Sequence, residues 1–303
     1  MSLKEAILKT LAYADIFDYP LKEEEIWHRL IWNTNGIRKS IYPNESEWEK
    51  TFGLICRSSG ELGFKGSYYF LLGRQKLVDI RQKREGWGQE KWKKAQRAAG
   101  LFKVIPTVKM IAVTGNLAVE NCDKEDDIDL LIVATPGSLW LTRLLAILLL
   151  EITGKRRRPE QKTVCDKLCL NMFLDEDHLQ IPSNEQDLYT AHEVVQLKLL
   201  WDRGGVYQKF LAQNRWVKSY LPNGVGTEIL GYKDTRKGKK SLDFLMSQSL
   251  SVFEHLARNF QLWYMRKRRT TEVISGGVIR FHPHDARLWI FDEYQNRLRQ
   301  FPY

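Results

Sequence analysis

Ile111–Val133, with the sequence IAVTGNLAVENCDKEDDIDLLIV, is the stretch that decides the fold of this 303-residue chain. Its pattern predicts an apolar strand, a turn at Gly115, a short polar segment and a second apolar strand that begins at Asp127-Ile128-Asp129. Because strand side chains alternate between two faces, the carboxylates of Asp127 and Asp129 point to the same side. Two such carboxylates repel each other unless a cation lies between them, and Mg²⁺ prefers oxygen ligands. The stretch therefore predicts a Mg²⁺ site suited to metal-assisted nucleotidyl transfer.

This pattern resembles the DNA polymerase beta-like nucleotidyltransferase superfamily. The signature of this superfamily begins with an apolar residue and Gly, followed by Gly or Ser on a helix-capping turn. About a dozen residues later, an Asp-x-Asp motif follows in an apolar strand. Here Gly115 precedes Asp127 and Asp129 by twelve and fourteen residues, and Asn116 follows the Gly. The resemblance covers roughly the middle third of the chain. It implies that Asp127 and Asp129 are catalytic and hold Mg²⁺, and that Gly115 and Asn116 contact the phosphates of an NTP. The residues alone also fit an ordinary β-hairpin or βα unit with a solvated acidic loop.

A third carboxylate on a neighbouring strand completes the family's site, and the resemblance assigns that position to Asn171, in the predicted strand LCLNMFL. Asn171 is neutral, so it can neither supply charge nor act as a base. Three other carboxylates are candidates for the missing base: Asp166, Asp175 and Glu193. Two functions therefore stay open. One is Mg²⁺-dependent transfer of a nucleoside monophosphate from an NTP to an unknown acceptor, and the other is a catalytically degenerate module that binds nucleotide or a partner in a regulatory role.

Composition and charge restrict the class of protein further. The net charge of +10 suits an anionic substrate such as an NTP, or a nucleic-acid acceptor, while a protein acceptor also stays possible. The four cysteines lack paired CxxC spacing, which argues against a zinc site and fits a reducing compartment. The apolar run Leu144–Leu150 is too short to span a bilayer, and the N-terminus lacks a signal-peptide pattern. The sequence thus predicts a cytoplasmic protein with no membrane partner.

Residues 1–75 have the pattern of a winged helix, with three helices followed by a hairpin over Leu62–Leu72. The third helix is predicted over Ser46–Arg57, with Ser46 and Glu49 at capping-box spacing. The region holds ten Lys/Arg and ten Asp/Glu, so it is electrically neutral. Because DNA binding depends on positive charge, packing or protein contact is the favoured role.

Residues 76–102 are predicted to form a basic helical connector, broken near Gly86-Trp87-Gly88. Residues 76–110 contain ten Lys/Arg and three Asp/Glu, and Trp87 and Trp92 lie among the basic residues. Basic residues interleaved with aromatics are typical of surfaces that hold a nucleic-acid backbone. A solvated helix anchored by its Trp side chains on the next domain is the favoured interpretation.

The remaining chain is divided into a nucleotidyltransferase-like α/β (α+β) core over 103–185 and a helical C-terminal region over 186–303. Strands are predicted at Ile111–Thr114, Ile128–Ala134 and Leu168–Leu174, with a helix at Leu139–Thr153. Helices are predicted at Leu188–Trp201, Tyr207–Tyr220, Leu242–Tyr264 and Asp285–Leu298. Residues 232–269 hold ten Lys/Arg and three Asp/Glu, a second candidate surface for nucleic acid. His282 and His284 have a metal-like spacing, but a loop that caps the last helix is favoured.

Overall fold

The structure is a computed structural model that describes residues 1–32, 44–158, 161, 163–226, 240–266, 273–280 and 286–301. In this part of the chain, helices cover both faces of a six-stranded sheet, so the predicted α/β class is confirmed. The helices are α1 (Leu3–Asp15), α2 (Glu23–His28), α3 (Glu45–Ser58), α4 (Leu77–Phe102), α5 (Gly115–Ala118), α6 (Leu139–Ile152), α7 (Leu188–Gln196), α8 (Val206–Gln213), α9 (Lys240–Met265) and α10 (Ala286–Leu298). The strands are β1 (Leu62–Lys65), β2 (Tyr68–Leu71), β3 (Val108–Val113), β4 (Ile128–Ala134), β5 (Leu168–Asp175), β6 (Lys198–Asp202), β7 (Val273–Ser275) and β8 (Val278–Arg280).

The central sheet has the strand order β6-β3-β4-β5-β8-β7. Strands β4 and β5 pair in parallel, and the other neighbours pair antiparallel. The parallel pair needs a crossover, which α6 supplies between β4 and β5. All three core strands that the sequence predicted are present, and β4 has the predicted bounds.

Each face of the sheet packs against its own set of helices. Alternate residues of β4, from Ile128 to Ala134, are buried with side chains from α4, α6 and α9. The intervening residues Leu131 and Val133 belong to a second cluster with α1, α7, α8 and α10. The second cluster is continuous from the N-terminal helices to the last helix, so α1 and α10 lie on the same side of the sheet as the Asp127 and Asp129 carboxylates.

The N-terminal region contains the predicted helices and hairpin, with β1 and β2 paired antiparallel. The third helix begins earlier than predicted, because Asn44 and Glu47 form the capping box rather than Ser46 and Glu49. Residues 33–43 lie outside the described part of the chain. The more specific assignment of a winged helix stays a prediction.

The predicted break in the connector is wrong, since α4 runs without interruption from Leu77 to Phe102. Two glycines in a helix interior cost about 1 kcal/mol each relative to Ala. Contacts along the helix oppose that cost: Gly88 is buried against Glu120 and Cys122, and Arg81 is only 1% exposed, with hydrogen bonds to Glu25 and Glu85. The sequence pattern favoured a basic helix whose charged side chains are solvated. Arg81 is an exception to that interpretation, because its side chain is buried.

The C-terminal region is not purely helical, which corrects the predicted helix Leu188–Trp201. Helix α7 ends at Gln196, and the chain continues as β6, which pairs with β3 along Lys198–Asp202. Without β6, β3 would be the edge strand of the sheet. The hydrogen bonds that residues 198–202 form with β3 prevail over the helical pattern of their sequence. The hairpin β7–β8 adds the opposite edge of the sheet. The predicted helix over Tyr207–Tyr220 is α8 followed by a 3₁₀ helix at Arg215–Ser219.

The helices predicted at Leu242–Tyr264 and Asp285–Leu298 correspond to α9 and α10. Residues 233–239, which belong to the second candidate surface for nucleic acid, and the His282–His284 pair lie outside the described residues. None of the helices in the described ranges combines the length and apolar composition that a bilayer span requires.

Candidate metal and substrate site

Two carboxylates and one thiol converge at the start of β4. Asp127 directly precedes the strand and Asp129 is its second residue. Ligand atoms of Asp127, Asp129 and Cys169 all lie within 4.8 Å of one another. Two oxygen ligands on opposite sides of one Mg²⁺ are about 4 Å apart, so the two carboxylates can reach a common cation with a small adjustment.

The turn at Gly115 lies directly against this cluster. Gly115 has a φ of +65°, and a Cβ atom there would be 2.9 Å from Asp129 Oδ2. Any larger residue would therefore be strained and would push the carboxylate away. The preceding residue, Thr114, also contacts Asp129, because Thr114 N donates to Asp129 O at 3.1 Å. The buried Thr114 Oγ1 has no hydrogen-bond partner among the described residues. Asn116 donates to Asp126 Oδ2 at 3.2 Å.

Lys91 of α4 anchors the loop that leads into Asp127. Lys91 is 2% exposed, and its Nζ donates to the backbone oxygens of Lys124 and Asp126 at 2.9 and 2.6 Å. The same ammonium group lies 3.3 Å from Asp166 Oδ1. One buried cation thus fixes three acceptors around the loop, a role that the sequence analysis did not foresee.

The third strand, β5, places two residues beside the Asp pair. Cys169, not Asn171, is paired with Asp129 across β4 and β5. Asn171 is the extra residue of a β-bulge, since Leu130 pairs with Leu170 and Leu131 with Met172. Asn171 is 8% exposed and lines the same cavity as Asp129. Both residues therefore lie beside the site, and the prediction missed the cysteine because it searched the strand for a carboxylate.

The thiol of Cys169 stays protonated in this environment. Burial raises its pKa well above the usual value, and the negative charges of Asp129 and Asp127 add to the effect. The thiol donates a hydrogen bond to Asp129. The hard donors of the cluster are the two carboxylates, and oxygen donors of this kind fit Mg²⁺ or Mn²⁺.

Arg157 supplies positive charge at the same place. Its Nη1 donates to Asp127 Oδ2 at 2.7 Å and to Cys169 Sγ at 3.6 Å. Its backbone is fixed by a bond from Arg157 N to Leu168 O at 3.0 Å, at the start of β5. Burial disfavours the charged form of Arg157, but the surrounding Asp127, Cys169 and Asp129 together outweigh this effect, so the pKa of Arg157 is raised.

A cavity of about 330 Å³ opens beside Asp129. Its walls include Tyr13 from α1, Phe17 from the turn that follows α1, Glu193 from α7 and Trp289 from α10. The N-terminal and C-terminal helices therefore close a space over the carboxylate edge of the sheet. Glu193 was a candidate base in the sequence analysis. The other three wall residues could not be found from the sequence, because they are separated from Asp129 by more than one hundred positions and carry no local motif.

Glu193 is the candidate base that lines this cavity. Burial and the negative charge of Asp129 raise the pKa of Glu193 to about 7. Burial and the charge of Asp127 likewise raise the pKa of Asp129 to about 6. Asp166 and Asp175 do not line the cavity: Asp166 pairs with Lys91 and Lys94, while Asp175 accepts from Gly137 N at 2.9 Å.

His192 has a structural role in the cavity wall. Its ring stacks on Tyr13 with centroids 3.9 Å apart, and its Nδ1 lies 2.9 Å from Leu188 O. Burial lowers the pKa of His192 to about 3, so the ring is neutral at physiological pH and Nδ1 donates to the carbonyl. The stacking fixes α7 against α1 and thereby the position of the neighbouring Glu193.

No protein-family model matches the chain, and comparisons with curated proteins and with solved structures returned no match. The function is therefore inferred from the geometry and chemistry of the site itself.

Proposed function

We propose that this protein is a Mg²⁺-dependent nucleotidyltransferase that moves a nucleoside monophosphate from an NTP to a hydroxyl group of an acceptor. The observation that carries the proposal is the convergence of Asp127 and Asp129 beside the Gly115 turn. The absence of a side chain at Gly115 lets the turn lie directly against the Asp129 carboxylate, since a Cβ there would be 2.9 Å from Asp129 Oδ2. The resemblance of these residues to the polymerase beta-like superfamily supports the same reaction.

Asp127 and Asp129 would hold the metal, since they provide two negative oxygen ligands on one side of the sheet. A Mg²⁺ held by these two residues would supply Lewis-acid stabilisation of the charge that develops on the reacting phosphate. Arg157, 2.7 Å from Asp127, is placed to contact a phosphate group next to the metal. Gly115 and Asn116 line the cavity on the side of the turn and would contact the triphosphate.

We assign Glu193 as the general base that takes the proton from the hydroxyl group of the acceptor. A general base works best when its pKa is near the operating pH, and the pKa of Glu193 is about 7. It reaches the cavity from α7, opposite the strand that carries Asp129. A negatively charged base that lies outside the metal ligands would compensate for the neutral Asn171.

A degenerate module that binds nucleotide or a partner is the second candidate. It is favoured by the composition of β5, where Cys169 and Asn171 occupy the positions next to the Asp pair. In the described residues, the cluster of potential ligands contains two carboxylates and no third one. Such a protein would bind NTP with Mg²⁺ but would not release pyrophosphate.

Mass spectrometry of products separates the two functions. The full chain is incubated with Mg²⁺ and each NTP in a cell extract, and products and pyrophosphate are measured. A transferase yields a product heavier by one nucleoside monophosphate. Asp127→Asn/Asp129→Asn should abolish it, whereas Glu125→Gln, an exposed change in the same loop, should retain it.

Thermal stability with and without Mg²⁺-NTP gives the complementary readout, because a ligand of the native state raises the melting temperature. Stabilisation that depends on the Asp pair, without product or pyrophosphate, would select the regulatory module. Absence of both product and stabilisation with every NTP would contradict both functions.

A further inference from the structure

The outer side of α9 carries five large apolar side chains that face solvent. They are Val252, Phe253, Leu256, Phe260 and Trp263, each 54–71% exposed. We refer to these five residues as the α9 stripe. Contiguous apolar surface of this kind on a folded protein marks a place where another surface docks.

The opposite side of α9 is anchored, so the stripe cannot turn inward. Glu254 accepts hydrogen bonds from the backbone nitrogens of Trp140 and Leu141 at 2.9 and 2.7 Å, which caps the first turn of α6. Gln261, 3% exposed, donates from Nε2 to Trp140 O at 2.8 Å. Rotation of α9 would break these bonds and expose buried polar groups, which costs about 1–3 kcal/mol for each group.

The spacing of the stripe is that of a helix that packs on another helix. Phe253, Leu256, Phe260 and Trp263 follow one another at intervals of three, four and three residues. This is the a/d pattern of a two-helix seam, in which each side chain fits between side chains of the facing helix. The described part of α9 presents this seam to solvent rather than to another of the described helices or strands.

Charge distinguishes a protein partner from a membrane surface. Helices that bind lipid surfaces carry basic residues beside their apolar side chains. At 100° per residue, His255 and Arg258 lie on other sides of α9 than the stripe. Among the described residues, Arg266, which directly follows α9 three residues after Trp263, is the basic residue that borders the stripe. A single basic residue at one end of the seam is less than an anionic membrane surface requires, and an uncharged apolar partner fits the seam better.

The size of the stripe suits self-association. Aromatic side chains bury roughly 150–250 Å² each, so five large residues that are more than half exposed offer on the order of 600 Å². A standard interface buries roughly 800 Å² on each partner, so the stripe supplies most of what a stable dimer needs. A two-fold dimer uses the same patch on both copies, and a self-complementary apolar seam meets that requirement.

We propose that the α9 stripe is a dimer interface on which α9 of a second copy of this chain packs. The two-fold pair places Phe253, Leu256, Phe260 and Trp263 of each copy between those of the other. This interface is remote in sequence from Asp127 and Asp129 and does not depend on the function proposed for them.

Light scattering coupled to gel filtration, over a range of protein concentrations, tests the proposal on the full chain. The wild type should elute with twice the 35.6 kDa chain mass. Phe260→Asp should elute as a monomer, because two carboxylates would be buried in the seam. His255→Asp introduces the same charge on another side of α9 and should stay dimeric. Circular dichroism confirms that each variant is folded, and Phe260→Ser/Trp263→Ser replaces Phe260→Asp if that variant does not fold.

Three outcomes would overturn the proposal. The first is a wild type that is monomeric at all concentrations. The second is a dimer that survives both stripe variants, since the contact would then lie elsewhere. The third is a monomer that sediments with phosphatidylcholine/phosphatidylserine vesicles and loses this property in Phe260→Asp, which would assign the stripe to a membrane surface.

Discussion

The two faces of the central sheet differ in what β4 presents to them. Toward α4, α6 and α9, every second residue of β4 is apolar and fully buried over the whole strand. Toward α1, α7 and α10, the same alternation gives Leu131 and Val133 but begins with Asp127 and Asp129. Only the second face breaks the rule that buried strand positions are apolar, and it does so at the edge where a cavity opens. A local conflict between pattern and burial of this kind is typical of functional sites.

This difference also separates stability from function. Residues on the uniformly apolar face should contribute to the free energy of unfolding, whereas the carboxylates on the other face should decrease it, since burial and mutual repulsion raise the pKa of Asp129 to about 6. The fold would retain such a pair for binding rather than for stability.

The largest expected effect comes from Asp129→Asn. We expect affinity for Mn²⁺, measured by electron paramagnetic resonance, to fall at least about a hundredfold, since even changes to residues behind metal ligands cost 10–100-fold. Stability in urea at pH 8 should rise, because no desolvated charge remains beside Asp127. Glu125→Gln serves as the control for both readouts. Unchanged Mn²⁺ affinity would show that the Asp pair is not a metal site.

On the other face, Leu130→Ala should reduce the free energy of unfolding by about 2–5 kcal/mol through loss of packing and formation of a cavity. Leu130 is 0% exposed, whereas Leu148 on α6 is 49% exposed. Leu148→Ala is therefore the matched control and should cost less than about 1 kcal/mol. Urea denaturation followed by circular dichroism measures both. Similar losses for the two variants would contradict the dry, close-packed face.

A pH titration of stability tests the charged face. The folded pKa of Glu193, about 7, lies above its unfolded value of 4.5. The contribution of Glu193 to the free energy of unfolding should therefore be fully present below about pH 4.5 and should be lost as the pH rises through 7. The shift corresponds to about 3 kcal/mol at most, and Glu193→Gln should remove about 2–3 kcal/mol of the difference between pH 5 and pH 8.

Asp129 titrates in an overlapping range, so the two groups lose protons as a coupled pair. The variant Glu193→Gln should flatten the profile but leave a smaller slope from Asp129. A profile that is identical in wild type and Glu193→Gln would place Glu193 in contact with solvent and remove it as the proposed base.

The sequence predicted those parts of the fold that depend on local pattern. The apolar run of β4, the glycine turn and the i, i+2 carboxylates are short-range features, and all were located correctly. The break in α4 and the helix over Leu188–Trp201 were wrong because long-range contacts prevailed over local preference: buried side chains hold α4 straight, and β3 recruits β6 as an edge strand. Cys169 was missed because β5 was searched for a carboxylate, and sequence spacing does not reveal which residue of β5 pairs with Asp129. The cavity walls from α1 and α10 required tertiary structure.

Lys91 connects the two faces, and its substitution is the smallest effect that we expect. It extends from α4, on the apolar face, to the backbone oxygens of Lys124 and Asp126 in the loop that carries Asp127. Lys91→Met retains the length of the side chain but leaves these acceptors without a donor, so the loop should loosen. We expect Mn²⁺ affinity to fall about tenfold, as for other residues that orient metal ligands.

Lys91→Arg, which retains the charge and the donors, should recover part of the Mn²⁺ affinity. Lys93→Met controls for charge, because Lys93 is exposed on the same helix and pairs with Glu90. A merely structural lysine would lower stability in Lys91→Met without changing metal affinity. That result would mean that the apolar face supports the fold alone and that Asp127 is positioned by β4 and the Gly115 turn without help from α4.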